Sequence, residues 1–141
     1  MPRRRAYTVL ELLVVLVIMG VLSALAAPRY AAFRDAAAVR SATAEVSRTL
    51  SGARQTAMLR RAPVAVRFDS AAGAVVVHSA GQPVIRHVLG LSYGVRFSAN
   101  RDSLVYDPRG LGYGGSNLSI RIMRGKVVDT VVVSRLGRVR W

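Results

Sequence analysis

The stretch YTVLELLVVLVIMGVLSALAA, from Tyr7 to Ala27, decides how the rest of the chain is read: 21 positions carry a single charge, Glu11. About 20 consecutive apolar residues are what a helix needs to cross the hydrocarbon core of a bilayer. Arg3, Arg4 and Arg5 precede the run, as they would in a secretory signal. The run is longer than the apolar core of such a signal, however. The apolar segment is therefore expected to stay on the protein. Arg29, Arg34 and Arg40 follow it and partly offset the leading cluster. The denser triplet favours an internal amino terminus under the positive-inside rule.

Glu11 strains the picture of an ordinary anchor. A carboxylate in the middle of a membrane helix costs about 2.5–3.5 kcal/mol on insertion scales and usually faces a partner rather than lipid. No lysine or arginine lies within two helical turns on its carboxyl side. A cut just before Tyr7 would create a free amine four residues away, about one helical turn, on the same chain or a neighbour. Glu11 then becomes an assembly device.

Arg3-Arg4-Arg5-Ala6, followed by Tyr7-Thr8-Val9-Leu10-Glu11-Leu12 and an apolar stretch to Pro28, resembles the class III signal of type IV pilins and type II secretion pseudopilins. The resemblance implies that residues 1–6 are a leader, removed by a prepilin peptidase at the cytoplasmic face between Ala6 and Tyr7. It implies methylation of the new Tyr7 amine, an assembly role for Glu11 and a helix bend at Pro28. Ala6 stands where the family usually has glycine, and Tyr7 where it usually has phenylalanine.

Beyond Pro28, alanine and arginine dominate to about Leu59, and both favour helix. A helix from Tyr7 to Leu59 would be about 80 Å long, kinked near Pro28 and looser near Gly20 and Gly52. Val39, Thr43, Val46, Leu50, Ala53 and Ala57 recur at spacings of three or four and form one apolar stripe, with Arg34, Arg40 and Arg48 on other faces. After Arg61 the pattern changes to short β-branched runs punctuated by glycine, proline, asparagine and aspartate. Strands are predicted at Val64–Asp69, Ala74–Ser79, Val84–Leu89, Gly94–Ser98, Leu104–Tyr106, Asn117–Met123 and Val127–Ser134. Ser70-Ala71-Ala72-Gly73 and Arg124-Gly125-Lys126 are short enough for hairpin turns, and Asp107-Pro108-Arg109-Gly110 has the residue order of a type I turn. An antiparallel sheet or small sandwich covered by the amphipathic half-helix follows.

Tyr106-Asp107-Pro108-Arg109-Gly110, a glycine-rich loop, two strands on a tight turn and the ending Val133-Ser134-Arg135-Leu136-Gly137-Arg138-Val139-Arg140-Trp141 resemble the FimT/GspH branch of minor pilins and minor pseudopilins. The implied fold is α+β and type IV pilin-like. Residues 7–28 form the transmembrane half of the helix, and 29–141 an amphipathic half-helix plus a β-rich extracytoplasmic head.

At 141 residues the chain has no room for a multidomain enzyme, and without cysteine it has no disulfide framework, thiolate site or cysteine nucleophile. His78 and His87 are the only histidines and no acidic cluster accompanies them, so neither a metal site nor a cofactor is expected. Asp69, His78 and Ser79 are the residue types of a hydrolytic triad, but nothing resembles a nucleophile elbow. Gly110 to Ser116 lacks the lysine of a P-loop and precedes strand-like sequence; it reads as a flexible surface loop. No catalytic residues are assigned.

Charge carries more information. Twenty arginines and Lys126 against seven acids give a formal charge of +14, and an anionic partner becomes a candidate. Arg121, Arg124, Lys126, Arg135, Arg138 and Arg140 face only Asp129, a local charge of +5. In an extended tail Arg138 and Arg140 point to one side, Gly137 permits a close backbone approach, and Trp141 can stack on a base. DNA contact, plain solvation and docking to another subunit all remain open for Arg135, Gly137, Arg138, Arg140 and Trp141.

Together the two resemblances imply a non-enzymatic minor pilin or pseudopilin, single-pass in the bacterial inner membrane with a cytoplasmic amino terminus and a periplasmic head. Its expected partners are prepilin peptidase, other pilin or pseudopilin subunits, and secreted protein cargo or DNA. The expected role is in the tip or initiating complex of a type II secretion pseudopilus or type IV pilus; a competence pilin acting in DNA uptake is the alternative.

Overall fold

The computed structural model describes residues 8–113 and 117–141. The chain divides into two compact units, residues 1–34 and 35–141. In the first, the described chain is helical from Val9, the start of helix α1 (Val9–Arg60). The Thr8 hydroxyl accepts a hydrogen bond from the Glu11 N–H at 3.2 Å, which satisfies one of the free donors at the helix start. Every side chain from Thr8 to Arg34 is exposed, and Pro28 lies inside the helix. Among the described residues α1 is the one helix long and apolar enough to cross a membrane.

Among its described residues the second unit holds the rest of α1 and nine strands. Val39, Thr43, Val46, Leu50, Ala53 and Ala57, the predicted stripe, are all buried, and Ala42, Ser47 and Thr49 join them. Arg34, Arg40 and Arg48 stay exposed. The strands are β1 (Val64–Asp69), β2 (Ala74–Ser79), β3 (Gln82–Val88), β4 (Arg96–Ala99), β5 (Ser103–Tyr106), β6 (Gly112–Tyr113), β7 (Leu118–Arg124), β8 (Val127–Val133) and β9 (Val139–Arg140). They form two antiparallel sheets, ordered β3-β2-β1-β5-β6 and β4-β7-β8-β9. In β1 and β7 buried side chains alternate with half-buried or exposed ones, as expected where a sheet covers a core on one face. One core collects Leu50 and Val46 of α1, Val64 and Val66 of β1, and Ile120 and Ile122 of β7. Asp35 ties the start of this part of α1 to the β7–β8 hairpin through an ion pair with Arg124 (2.9 Å).

The structure departs from the predicted elements in three places. Leu89 leaves the sheet and begins a one-turn helix, α2 (Leu89–Tyr93), which ends on Gly94 at φ 62. A glycine that accepts the left-handed conformation is a common helix stop, and the next strand therefore starts at Arg96 rather than Gly94. Part of the loop read as flexible, Gly112–Tyr113, is a strand: Val105 pairs with Tyr113 and Tyr106 with Gly112. The third departure is β9, in which Val139 and Arg140 extend the second sheet by pairing with Val133 and Val132.

Candidate functional site

The carboxyl-terminal motif is held by two turns that meet. In the first, the Gly110 N–H donates to the Asp107 carbonyl (2.9 Å), and the Asp107 carboxylate accepts from the N–H groups of Arg109 (2.9 Å) and Leu111 (2.7 Å). Aspartate, proline and glycine thus act by the local chemistry their order suggests, with Gly110 at φ 77. In the second, the Gly137 N–H donates to the Ser134 carbonyl and the Ser134 N–H to the Arg138 carbonyl, both at 2.9 Å, while the Ser134 hydroxyl accepts from the Arg138 N–H (3.2 Å). Gly137, at φ 72, closes the hairpin between β8 and β9. Serine three residues ahead of glycine after a valine-rich run is a turn signature, and it was the signal available for β9.

Arg54 of α1 joins the two turns. Its Nε donates to the Gly110 carbonyl at 2.8 Å. A methyl group added at Gly137 would overlap that same carbonyl and crowd Arg54 and the Tyr106 ring, so the close backbone approach offered by Gly137 is made to Gly110. Tyr106 is fully buried beneath, and its hydroxyl finds no hydrogen-bond partner among the described residues. Burial pushes that hydroxyl up to about 12 from 10.0, with the Arg54 charge partly opposing. Sequence reasoning missed Arg54, because its position one residue after Ala53 on α1 carries no signal of a contact with residues more than fifty positions away.

Beside this junction, Arg54, Arg138 and Arg140 line one groove of about 510 Å³ between α1 and β9, together with Ser51, Gln55 and Met58. Arg135, Arg138, Arg140 and Trp141 are exposed and Gly137 is buried. Glu11 is exposed on the apolar part of α1. Ala6 and Tyr7 lie outside the described residues, as do Gly114 to Ser116.

Of the residue types of a hydrolytic triad, Asp69 and His78 line one pocket and Ser79 lines a different one. Ser79 pairs with Val64 at one end of the β1–β2 ladder and Asp69 with Ala74 at the other. The Asp69 carboxylate accepts from the Ala72 N–H (2.9 Å), and the Ser79 hydroxyl lies 3.5 Å from Arg60. Among the described residues no group of three or more histidine, aspartate or glutamate side chains is placed to hold a metal ion.

A long amino-terminal helix whose second half packs on antiparallel sheets defines the type IV pilin-like class of proteins. Two family models match this chain: the prokaryotic N-terminal methylation motif over residues 1–27, and the type II transport protein GspH over residues 42–137. The chain belongs to the GspH family of minor pilins and pseudopilins. A solved structure of the type IV minor pilin FimU from Pseudomonas aeruginosa is similar in fold, with a TM-score of 0.62 and 15% identity over 72% of this chain and 86% of that one. The minor pseudopilin EpsH from the type 2 secretion system of Vibrio cholerae is similar at a TM-score of 0.59 and 14% identity, over 72% of this chain and 94% of that one. No curated protein matches in sequence.

Proposed function

We propose that this chain is a non-enzymatic, single-pass inner-membrane precursor that is cut between Ala6 and Tyr7, methylated on Tyr7 and built into the tip or initiating complex of a type II secretion pseudopilus or type IV pilus. Residues 1–6 are the leader, 7–28 the membrane half of the helix, and 29–141 the remaining helix and periplasmic head. The observation that carries this reading is the exposed apolar helix with one carboxylate. From Val9 to Ala27 the side chains are exposed among the described residues, and Glu11 is their only charge. Lipid can cover the apolar surface before assembly and neighbouring helices afterwards, and a carboxylate in that setting calls for a cationic partner. The amine of a cut chain supplies one.

Intact mass tests the first step, since the mature protein should lack Met1 to Ala6. Glu11→Ala tests the second: it should insert in the membrane as well as the parent or better, lose its leader, and fall in the filament fraction. A mature chain that keeps Arg3 to Arg5 in cells with an active peptidase, or a Glu11→Ala chain that assembles normally, would remove the respective step.

A second reading, capture of DNA for uptake through the tail, draws on the groove in which Arg54, Arg138 and Arg140 converge. Three arginines on the lining of one groove and an exposed terminal tryptophan suit a phosphate backbone and an unstacked base.

A further inference from the structure

We propose that the groove between α1 and the edge strand β3 docks an extended, acid-flanked apolar segment of a partner subunit; this rests on the filament-subunit reading above. The five-stranded sheet ends at β3, whose outer edge pairs with no described strand. An open edge is a template for an added strand, and proteins usually blunt it with proline, charge or a twist. Here Pro83 removes a donor only at the turn end, leaving Val84 to Val88 as the free edge.

The edge carries apolar side chains that the core does not use. β2 and β3 slip in register between Val77 and His78: Val77 faces Ile85, His78 faces Pro83, and Val84 is left unopposed. A bulge of this kind re-aims side chains. As a result both Val84 and Ile85 line the groove, although neighbours on a regular strand point to opposite faces. They remain 55% and 44% exposed.

The helix side of the groove is shaped to receive something. Gly52 leaves open space where a side chain would stand. The hydroxyls of Thr49 and Thr56 turn back to the carbonyls of Glu45 and Gly52 at 2.8 Å, so these residues do not offer free hydroxyls to the groove. At about 270 Å³ the space is smaller than pockets that enclose a whole small ligand, and it suits side chains projecting from an extended backbone.

Charge selects the partner. Arg48 and Arg60 stand on the lining, and the one carboxylate there, Glu45, is already shared between Arg48 (3.8 Å) and His87 (3.4 Å). A second copy of a chain with a formal charge of +14 would set arginine against arginine, so the occupant is a different, acidic chain.

The test uses the full-length chain in detergent micelles and two fluorescein-labelled peptides of alternating valine and threonine, one with a glutamate pair at each end and the other with lysine pairs. Anisotropy should show the acidic peptide binding at least about tenfold tighter, and Gly52→Phe, which fills the groove from an exposed helix position, should weaken it by about tenfold or more. Gly52→Ala should bind as the parent does, and Val84→Ser on the exposed edge, which removes apolar contact without adding charge, should weaken binding if Gly52→Phe fails to fold. Equal affinity for the two peptides, or undiminished binding by whichever of Gly52→Phe and Val84→Ser folds, overturns the proposal. In cells, Gly52→Phe should lose its leader normally yet fall about tenfold in the filament fraction. If it enters filaments normally while Glu11→Ala does not, the groove is overturned and the filament reading stands; if both enter normally, both fall.

Discussion

Gly137→Ala, set beside Gly81→Ala, separates the conformational from the steric contribution of a glycine in the tail motif. Both residues hold a left-handed backbone, at φ 72 and φ 78. An alanine forced into that region costs about 1–2 kcal/mol. At Gly81, in the β2–β3 turn, that is the whole effect, because nothing lies within 4 Å of an added methyl group. At Gly137 the methyl group also overlaps the Gly110 carbonyl, which must move away from its 2.8 Å bond with Arg54. Hydrogen bonds to charged groups contribute about 1.5–3 kcal/mol, so the expected losses are ~1–2 kcal/mol for Gly81→Ala and ~2.5–5 kcal/mol for Gly137→Ala. For a domain of about 100 residues, 1 kcal/mol moves the melting temperature by roughly 4–8 °C, and the two variants should therefore melt at least about 6 °C apart. Circular dichroism melts of the full chain in detergent measure the gap. If both variants melt within about 2 °C of each other, Gly137 is required only for its backbone angle and the three-way junction with Gly110 and Arg54 has no energetic weight.

Stability at high pH reports on the same junction. The folded state keeps the Tyr106 proton to about pH 12, whereas the unfolded chain releases it near 10.0. Stability is thus complete below pH 10 and declines between 10 and 12, by about 2–3 kcal/mol at most. Tyr106→Phe should lack this decline and, having lost a buried hydroxyl without a partner among the described residues, should be as stable as the parent or up to about 1 kcal/mol more stable at neutral pH; urea titrations at a series of pH values check both. For the tail, Arg138→Ala with Arg140→Ala should flatten the slope of log affinity for duplex DNA against log salt by roughly 1.8 units, two phosphate contacts at about 0.9 each. An unchanged slope with an intact fold assigns the pair to solvation or subunit docking.

The amino-terminal half was legible because its signals are local. An apolar run with one carboxylate and a stripe at spacings of three and four each depend on the repeat of a single helix, and the stripe from Val39 to Ala57 is buried as its spacing requires. Asp107-Pro108-Arg109-Gly110 was legible for the same reason, since an aspartate bonding N–H groups two and four residues on needs no distant partner. The helix from Val9 and the strands β1, β2, β5, β7 and β8 thus follow from patterns a few residues long. What the tertiary structure decided lies where distant segments meet. Two residues cannot specify a strand by themselves, so β6 and β9 exist only because β5 and β8 present free edges beside them. The bulge that turns Val84 outward needs the β2 register to define it. Gly137, read as a point of close approach to a ligand, makes that approach to Gly110 and Arg54, residues that only the folded chain brings together.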